Sequence, residues 1–313
     1  MEPAVLLHLT SQAPLARRAV EELTTVNPTE VLAMATVSEV LETVENTPGC
    51  AGLLPVEDSY EGLNTAVLDR LVFGTSHVFV SEEIVVAESV DAFRVPSDGP
   101  VAGRVAVSEP RHIEHCHRFI RENGLFTHFV GSTAEACRLV RDSGDPTLVA
   151  LAPPEVADAF GLVPVAEAVD DMPAARTRFF LVSQGVAAPT GDDKTTLVLT
   201  QPSDRSGNLQ RFLAAFTGHE VNLVALHSRP LQSAAEFCFT VTAEAHVTEP
   251  RMVAAIEEMW AVGAQIKVVG SYPHWRGAQV VSPFVEPPGS VGRQSSAAER
   301  SAVVGAAVPA PTR

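Results

Sequence analysis

Residues 176–183 read Arg-Thr-Arg-Phe-Phe-Leu-Val-Ser, and two neighbours in that run carry usable chemistry. Arg178 brings a planar guanidinium that can grip a carboxylate through two parallel hydrogen bonds. Thr177 brings a hydroxyl, too weak an acid to give up its proton unaided, which serves as a positioned donor only if a stronger acid or the substrate completes the transfer. The same run is also an ordinary strand opening, with Arg178 in a surface ion pair. A second polar group, Ser132-Thr133-Ala134-Glu135, fits a helix capping box between Ser132 and Glu135. Ser132, Thr133 and the backbone amides beside them could equally face an anion at the helix start.

Charge limits what such groups can bind. The formal net charge of −16 over 313 residues excludes nucleic acid as the main ligand, because that partner needs a basic stripe. An anionic metabolite must be held by local arginines and backbone donors, since the long-range field repels it. The amino terminus has Glu2 where a signal peptide needs a basic residue, and no apolar run approaches the roughly 18 residues of a membrane helix. A cytoplasmic protein without a membrane partner is expected. Cys50, Cys116, Cys137 and Cys238 are far apart and are expected to be reduced and buried; no metal or cofactor pattern is visible.

The elements that must position these groups follow from periodicity. Short strands at 4–9, 52–56, 104–107, 147–151 and 179–182 alternate with helical stretches, the pattern of an α/β sheet. Residues 185–193 are small and end polar, a natural boundary. Beyond it come a β-branched run at 195–200, a helix carrying Leu209, Phe212, Leu213 and Phe216, strands at 221–226 and 237–241, a helix after Pro250 and a last strand at 265–270. Strand, helix, strand, strand, helix, strand is an α+β ferredoxin-like order, which hosts many functions. From residue 277 the chain turns rich in Gly, Pro, Ser and Ala without apolar period, and a disordered tail is expected there.

Six collinear segments carry a resemblance. Residues 52–62, Gly-Leu-Leu-Pro-Val-Glu-Asp-Ser-Tyr-Glu-Gly, then the Ser-Thr-Ala-Glu-Ala run at 132–136, the Thr177-Arg178-Phe179 triplet, and the segments at 204–209, 227–230 and 268–273 resemble, in order, prephenate dehydratases with their C-terminal ACT regulatory domain. The resemblance implies a two-lobed α/β catalytic unit at 1–184, periplasmic-binding-protein-like, with a cleft between the lobes, and an ACT domain at 194–273. It implies decarboxylating dehydration of prephenate to phenylpyruvate in phenylalanine biosynthesis. Thr177 would donate to the leaving hydroxyl, and Glu57, its pKa raised by the dianion and by desolvation, would supply the proton. Arg178, Asp58, Ser59, Ser108, His115, Ser132, Thr133 and Phe179 would bind the dicarboxylate. Gly207, Asn208, Leu209, His227, Ser228, Arg229 and Pro230 would bind an amino-acid effector, phenylalanine, in a homodimer or homotetramer; at Arg229-Pro230 a plain turn fits equally.

Departures from the family pattern cluster at the site. The loop after the first strand lacks the family's glycines and offers Thr10 and Ser11 instead. Asp58 stands for Asn, Glu109 for His, and Arg111 and His115 for two Gln. A protonated His115 facing Asp58 would restore the charge balance lost by the first change. Two other readings stay open: a diverged lyase with a different product, and a noncatalytic protein that binds aromatic amino acids.

Overall fold

The computed structural model describes residues 5–99, 101–172, 174–201, 207–231 and 236–282, with scattered positions to 299. The first lobe is built from β1 (Val5–Leu9), α1 (Ala13–Glu21), β2 (Glu30–Met34), α2 (Val37–Asn46), β3 (Cys50–Asp58), β4 (Gly62–Leu63), α3 (Thr65–Gly74) and β5 (Val78–Ala87). Helix α2 starts where it does because Thr36 and Glu39 form a reciprocal capping box. Apolar residues on both faces of β3 and β5 explain their near-continuous burial: α2 and α3 cover one face through Val40, Val44, Leu68 and Leu71, and α1 covers the other through Leu15, Ala16 and Ala19.

The second lobe holds β6 (Asp91–Arg94), β7 (Val105–Ser108), α4 (Pro110–His115), α5 (His117–Glu122), β8 (Phe126–Phe129), α6 (Thr133–Ser143), β9 (Leu148–Ala152), α7 (Pro154–Asp158) and β10 (Val163–Ala166). Its sheet runs β10-β6-β9-β7-β8. The chain crosses into this lobe after Ala87 and returns at β11 (Arg176–Gln184). The two crossings are zipped together: Glu88 N donates to Ala175 O at 2.9 Å and Val169 N to Val90 O at 2.8 Å. Two lobes joined by a paired double crossing place a hinge directly under the start of β11.

A further set follows: β12 (Asp193–Thr200), α8 (Asn208–Gly218), β13 (Leu223–Pro230), β14 (Phe237–Ala243), α9 (Pro250–Ala261) and β15 (Gln265–Pro273). Helices α8 and α9 bury Phe212, Phe216, Met252 and Met259 against Leu197, Leu199 and Val241. The first sheet continues into this set, in the order β13-β14-β12-β15-β5-β11-β3-β1-β2. The join is the parallel contact of Gly270 in β15 with Val80 in β5. A Cβ at Gly270 would lie 2.4 Å from Val80 O, so only glycine lets the two backbones meet. Lys267 strengthens the seam by donating from Nζ to the carbonyls of Leu71, Val72 and Thr75 at the C-terminal end of α3.

All four cysteines are buried and free. No helix among the described residues is long and apolar enough to cross a membrane. Residues 282–313 cluster as a unit of their own, and the tail expected at 277–313 falls for its greater part outside the described residues.

Candidate active site at the hinge

Thr177 sits one residue after the return crossing, and its Oγ1 donates to Glu88 Oε2 at 3.0 Å. Glu88 belongs to the outgoing crossing, so the bond ties both hinge segments. Arg111, from the first turn of α4, reaches across the lobe boundary and places Nη2 3.4 Å from Glu88 Oε2 and 3.3 Å from Asp58 Oδ2. Asp58 Oδ1 accepts from the backbone N–H of Tyr60 and Glu61, both at 2.8 Å, which fixes the loop after β3. His112 completes the group, with Nδ1 3.2 Å from Glu109 and Nε2 3.9 Å from Glu88.

The electrostatics are those of a compact, acid-rich cluster. Burial alone would raise the Glu88 carboxyl, but the His112 imidazole, the Arg111 guanidinium and the Thr177 hydroxyl outweigh it and hold it at about 2. For His112, burial pulls downward, and the facing carboxylates of Glu109 and Glu88 win, leaving its pKa raised. His115 goes the other way, down to about 4, through burial and the Arg111 charge. Its ring stacks on Tyr60 with centroids 3.5 Å apart, and the Tyr60 hydroxyl donates to Asp170 at 3.2 Å.

Four expectations are corrected here. A neutral, stacked His115 does not neutralise Asp58; Arg111 does, because its longer side chain reaches the carboxylate while the imidazole is held over Tyr60. Glu57 is not placed to reprotonate Thr177. In the antiparallel pair Thr177 faces Asp58 and Arg178 faces Glu57, and since side chains alternate along a strand, Glu57 lies on the opposite side of the sheet from Thr177. Arg178 shares that far face, with Nε 3.1 Å from Glu57 and Nη1 3.0 Å from Glu83, so it cannot anchor a substrate lying against Thr177. Phe179 is fully buried in the core with Leu6, Leu53 and Ile84, and does not face a ligand.

The remaining polar candidates hold structure. Ser59 exchanges two hydrogen bonds with Arg176, its N–H to the carbonyl at 3.0 Å and its Oγ from the N–H at 3.1 Å, setting the register next to Thr177. Ser108 is wholly buried and donates to Leu151 O at 2.6 Å. Ser132 caps α6 by accepting from Glu135 N at 3.2 Å, while Glu135 accepts from Gly131 N, and Thr133 opens the first turn. The Thr10 hydroxyl donates to Met34 O.

Farther along, Gly207 takes a left-handed φ of 87° before the first turn of α8, which holds Asn208 and Leu209. Residues 202–206, part of the resembling segment, lie outside the described residues. His227, Ser228, Arg229 and Pro230 form the end of β13, a strand and not a turn. Arg229 grips Asp69 of α3 through Nε and Nη2. The residues that sequence reasoning missed are Glu88, His112, Tyr60, Glu83 and Lys194. A signal existed for one of them: Ser81-Glu82-Glu83 breaks an otherwise apolar strand, and buried acids need partners.

A two-lobed α/β fold with a polar cluster at its hinge defines the class. The prephenate dehydratase family model matches residues 15–186, more than half of the chain, and the chain belongs to that family. It is 29% identical over 265 residues to the prephenate dehydratase of Amycolatopsis methanolica, covering 82% of this chain and 84% of that one. It is 30% identical over 242 residues to the bifunctional chorismate mutase/prephenate dehydratase of Aquifex aeolicus, covering 76% of this chain and 65% of the relative. Among solved structures, prephenate dehydratase from Arthrobacter aurescens in complex with L-Phe superposes with a TM-score of 0.75 at 26% identity, over 89% of this chain and 93% of that one. A protein described as a novel type of quorum quenching acylase shares the fold at 21% identity and a TM-score of 0.73, over 87% and 98% of the two chains. One fold thus carries more than one activity, and the chemistry must be argued from the hinge.

Proposed function

We propose that this chain is a prephenate dehydratase acting at the Thr177 hinge cluster. Prephenate would lose carbon dioxide and its ring hydroxyl, the hydroxyl leaving as water, to give phenylpyruvate. Thr177 is the donor to that hydroxyl, and Arg111 takes the anchoring role expected of Arg178. A substrate carboxylate competes for Arg111 with Asp58 and Glu88; once the guanidinium turns to the substrate, Glu88 loses a cation and its proton affinity rises, so that it takes up a proton from solvent as the substrate binds and passes it to Thr177 while Thr177 gives its own to the leaving hydroxyl. The observation that carries this reading is the Thr177–Glu88 bond at 3.0 Å with Arg111 beside it. Ser59, His115, Ser132 and Thr133 line or brace the cleft. The test is phenylpyruvate absorbance after adding prephenate to the purified protein; no phenylpyruvate from folded protein would reject the assignment.

A second reading is favoured by the charge of the cluster. Asp58, Glu88 and Glu109 surround one arginine and one histidine, an environment poorer for a dianion than for a close analogue with less negative charge. In that case the same assay yields a different product or none, and the analogue is turned over.

The proposal extends to regulation. Residues 194–273 act as an ACT-like sensor joined to a catalytic unit at 1–184, with phenylalanine as effector at Gly207–Leu209 and His227–Pro230. The β12-α8-β13-β14-α9-β15 order and the likeness to an L-Phe complex support it. A cytoplasmic homodimer or homotetramer is the form proposed, by resemblance.

A further inference from the structure

The loop after β3 sends one aromatic side chain from the first lobe onto the second. The Tyr60 ring lies 3.5 Å from that of His115, at the end of α4, with the two planes 8° from parallel. Its hydroxyl donates to Asp170 Oδ1 at 3.2 Å, and Asp170 Oδ2 accepts from Val90 N at 3.3 Å in the outgoing crossing. Both partners are fixed from behind: Asp58 Oδ1 accepts from the Tyr60 N–H at 2.8 Å, and the His115 carbonyl accepts from Asp171 N at 2.7 Å. Contacts run on from the stack to the hinge pair. His115 meets His112 edge to face with centroids 6.1 Å apart, His112 Nε2 lies 3.9 Å from Glu88, and Glu88 accepts from Thr177.

Forces for and against this contact are both visible. A gap of about 1 Å already forfeits up to about half of the dispersion attraction between two surfaces, so the stack holds only while the lobes are together. Against it, His115 Nδ1 is buried without a hydrogen-bond partner, a loss that water makes good once the cleft opens. Two other side chains bridge the lobes. Arg111 reaches Asp58, but it is the group that a substrate carboxylate draws away. Arg18 of α1 pairs with Glu155 of α7, and that pair is partly exposed, where solvent and salt leave it weak. Closure around a bound substrate therefore needs a tie that does not depend on Arg111.

We infer that Tyr60 is a positioning residue for the hinge cluster: its ring on His115 and its hydroxyl on Asp170 latch the two lobes shut over Thr177 and Glu88. The latch supplies the closed cleft without Arg111, which is then free to meet the substrate. It stays reversible because opening hydrates His115 Nδ1, and substrate entry and product exit each require that opening. The kinetic part of this inference rests on the hinge cluster being the place of reaction; the latch itself does not.

Spin labels on Glu42→Cys in α2 and Arg138→Cys in α6, both exposed positions, report the distance between the lobes, while the four native cysteines are buried. Pulsed electron resonance on the full chain is expected to give one dominant interlobe distance with Tyr60 in place. Tyr60→Ala, with circular dichroism confirming the fold, adds a longer distance and lowers the closed fraction to about a third or less. Tyr60→Phe, which keeps the stack and loses the bond to Asp170, falls between the two. Because bound substrate selects the closed state, KM for prephenate rises about threefold or more in Y60A while kcat stays within about twofold. An unchanged distance distribution in both variants overturns the latch, and a fall in kcat with KM unchanged overturns the positioning role. If the unsubstituted chain makes no phenylpyruvate, the substrate assignment fails, and the distances still decide the latch.

Discussion

The Thr177 hydroxyl and the Glu88 carboxylate, 89 residues apart in sequence, meet at 3.0 Å because the two strands that join the lobes run side by side. Removing the hydroxyl tests its role most directly. Thr177→Ala is expected to lower kcat on prephenate by about 100-fold or more, the usual scale for losing a positioned proton donor, while Thr177→Ser stays within about tenfold of wild type. Near-normal turnover by the alanine variant would remove Thr177 from the mechanism.

Arg111 is expected to govern affinity more than rate. Arg111→Lys keeps the charge but loses the fork that spans two carboxylates, and KM should rise about tenfold with kcat moving less. If kcat falls and KM holds, Arg111 is not the anchor.

The cluster also sets a pH window for stability. His112 has a folded pKa above its ordinary value, so its contribution is complete below about 6.5 and is lost as pH rises through the folded value. Glu88 has a folded pKa of about 2, so its contribution is present above the ordinary carboxylate range and is lost as pH falls toward that value. Thermal melts from pH 5 to 9 should show Tm declining on the alkaline side, and His112→Gln should flatten that decline. An unchanged slope would show that His112 is not the group responsible.

Glu83 holds two cations at the seam between the lobe and the β12–β15 set. Glu83→Gln leaves Lys194, buried at 5% exposure, without its counter-charge, and removal of one partner from a buried pair typically costs about 3–5 kcal/mol. Urea unfolding measures this, and a second change, Lys194→Met, should recover part of the loss. No recovery in the double variant would mean that the cost lies elsewhere.

Gly270 is predicted to be irreplaceable for a different reason. Valine there would drive a side chain into the Val80 backbone, and unfolding should become easier by at least about 1–3 kcal/mol, the range for overpacking. A Gly270→Val protein as stable as wild type would argue against a continuous sheet.

Much of the architecture is legible in the sequence. The alternation of apolar runs marks β1, β3, β7, β9 and β11, and the period of Phe212 and Phe216 marks α8, because burial on a helix or strand leaves a local trace. The site was less so. Thr177 was visible as a hydroxyl in a resembling triplet, but its partner Glu88 depends on how two distant crossings pair, which has no local trace. The error over Arg178 and Glu57 has the same root: adjacency along β11 suggested cooperation, whereas the pleat sends neighbours to opposite faces. Asp58 and Arg111 were both noticed as departures, yet only their separation of 3.3 Å shows that the two changes answer each other.

The seam at Gly270 and Val80 has a consequence for limited proteolysis. A cut in the exposed connector near Gly185–Asp192 would sever the covalent link but not the hydrogen-bonded sheet, the Lys194–Glu83 pair or the Lys267 cap. The two fragments should therefore travel together through a sizing column and part only in denaturant, so that an apparently intact molecule would run as two bands on a denaturing gel.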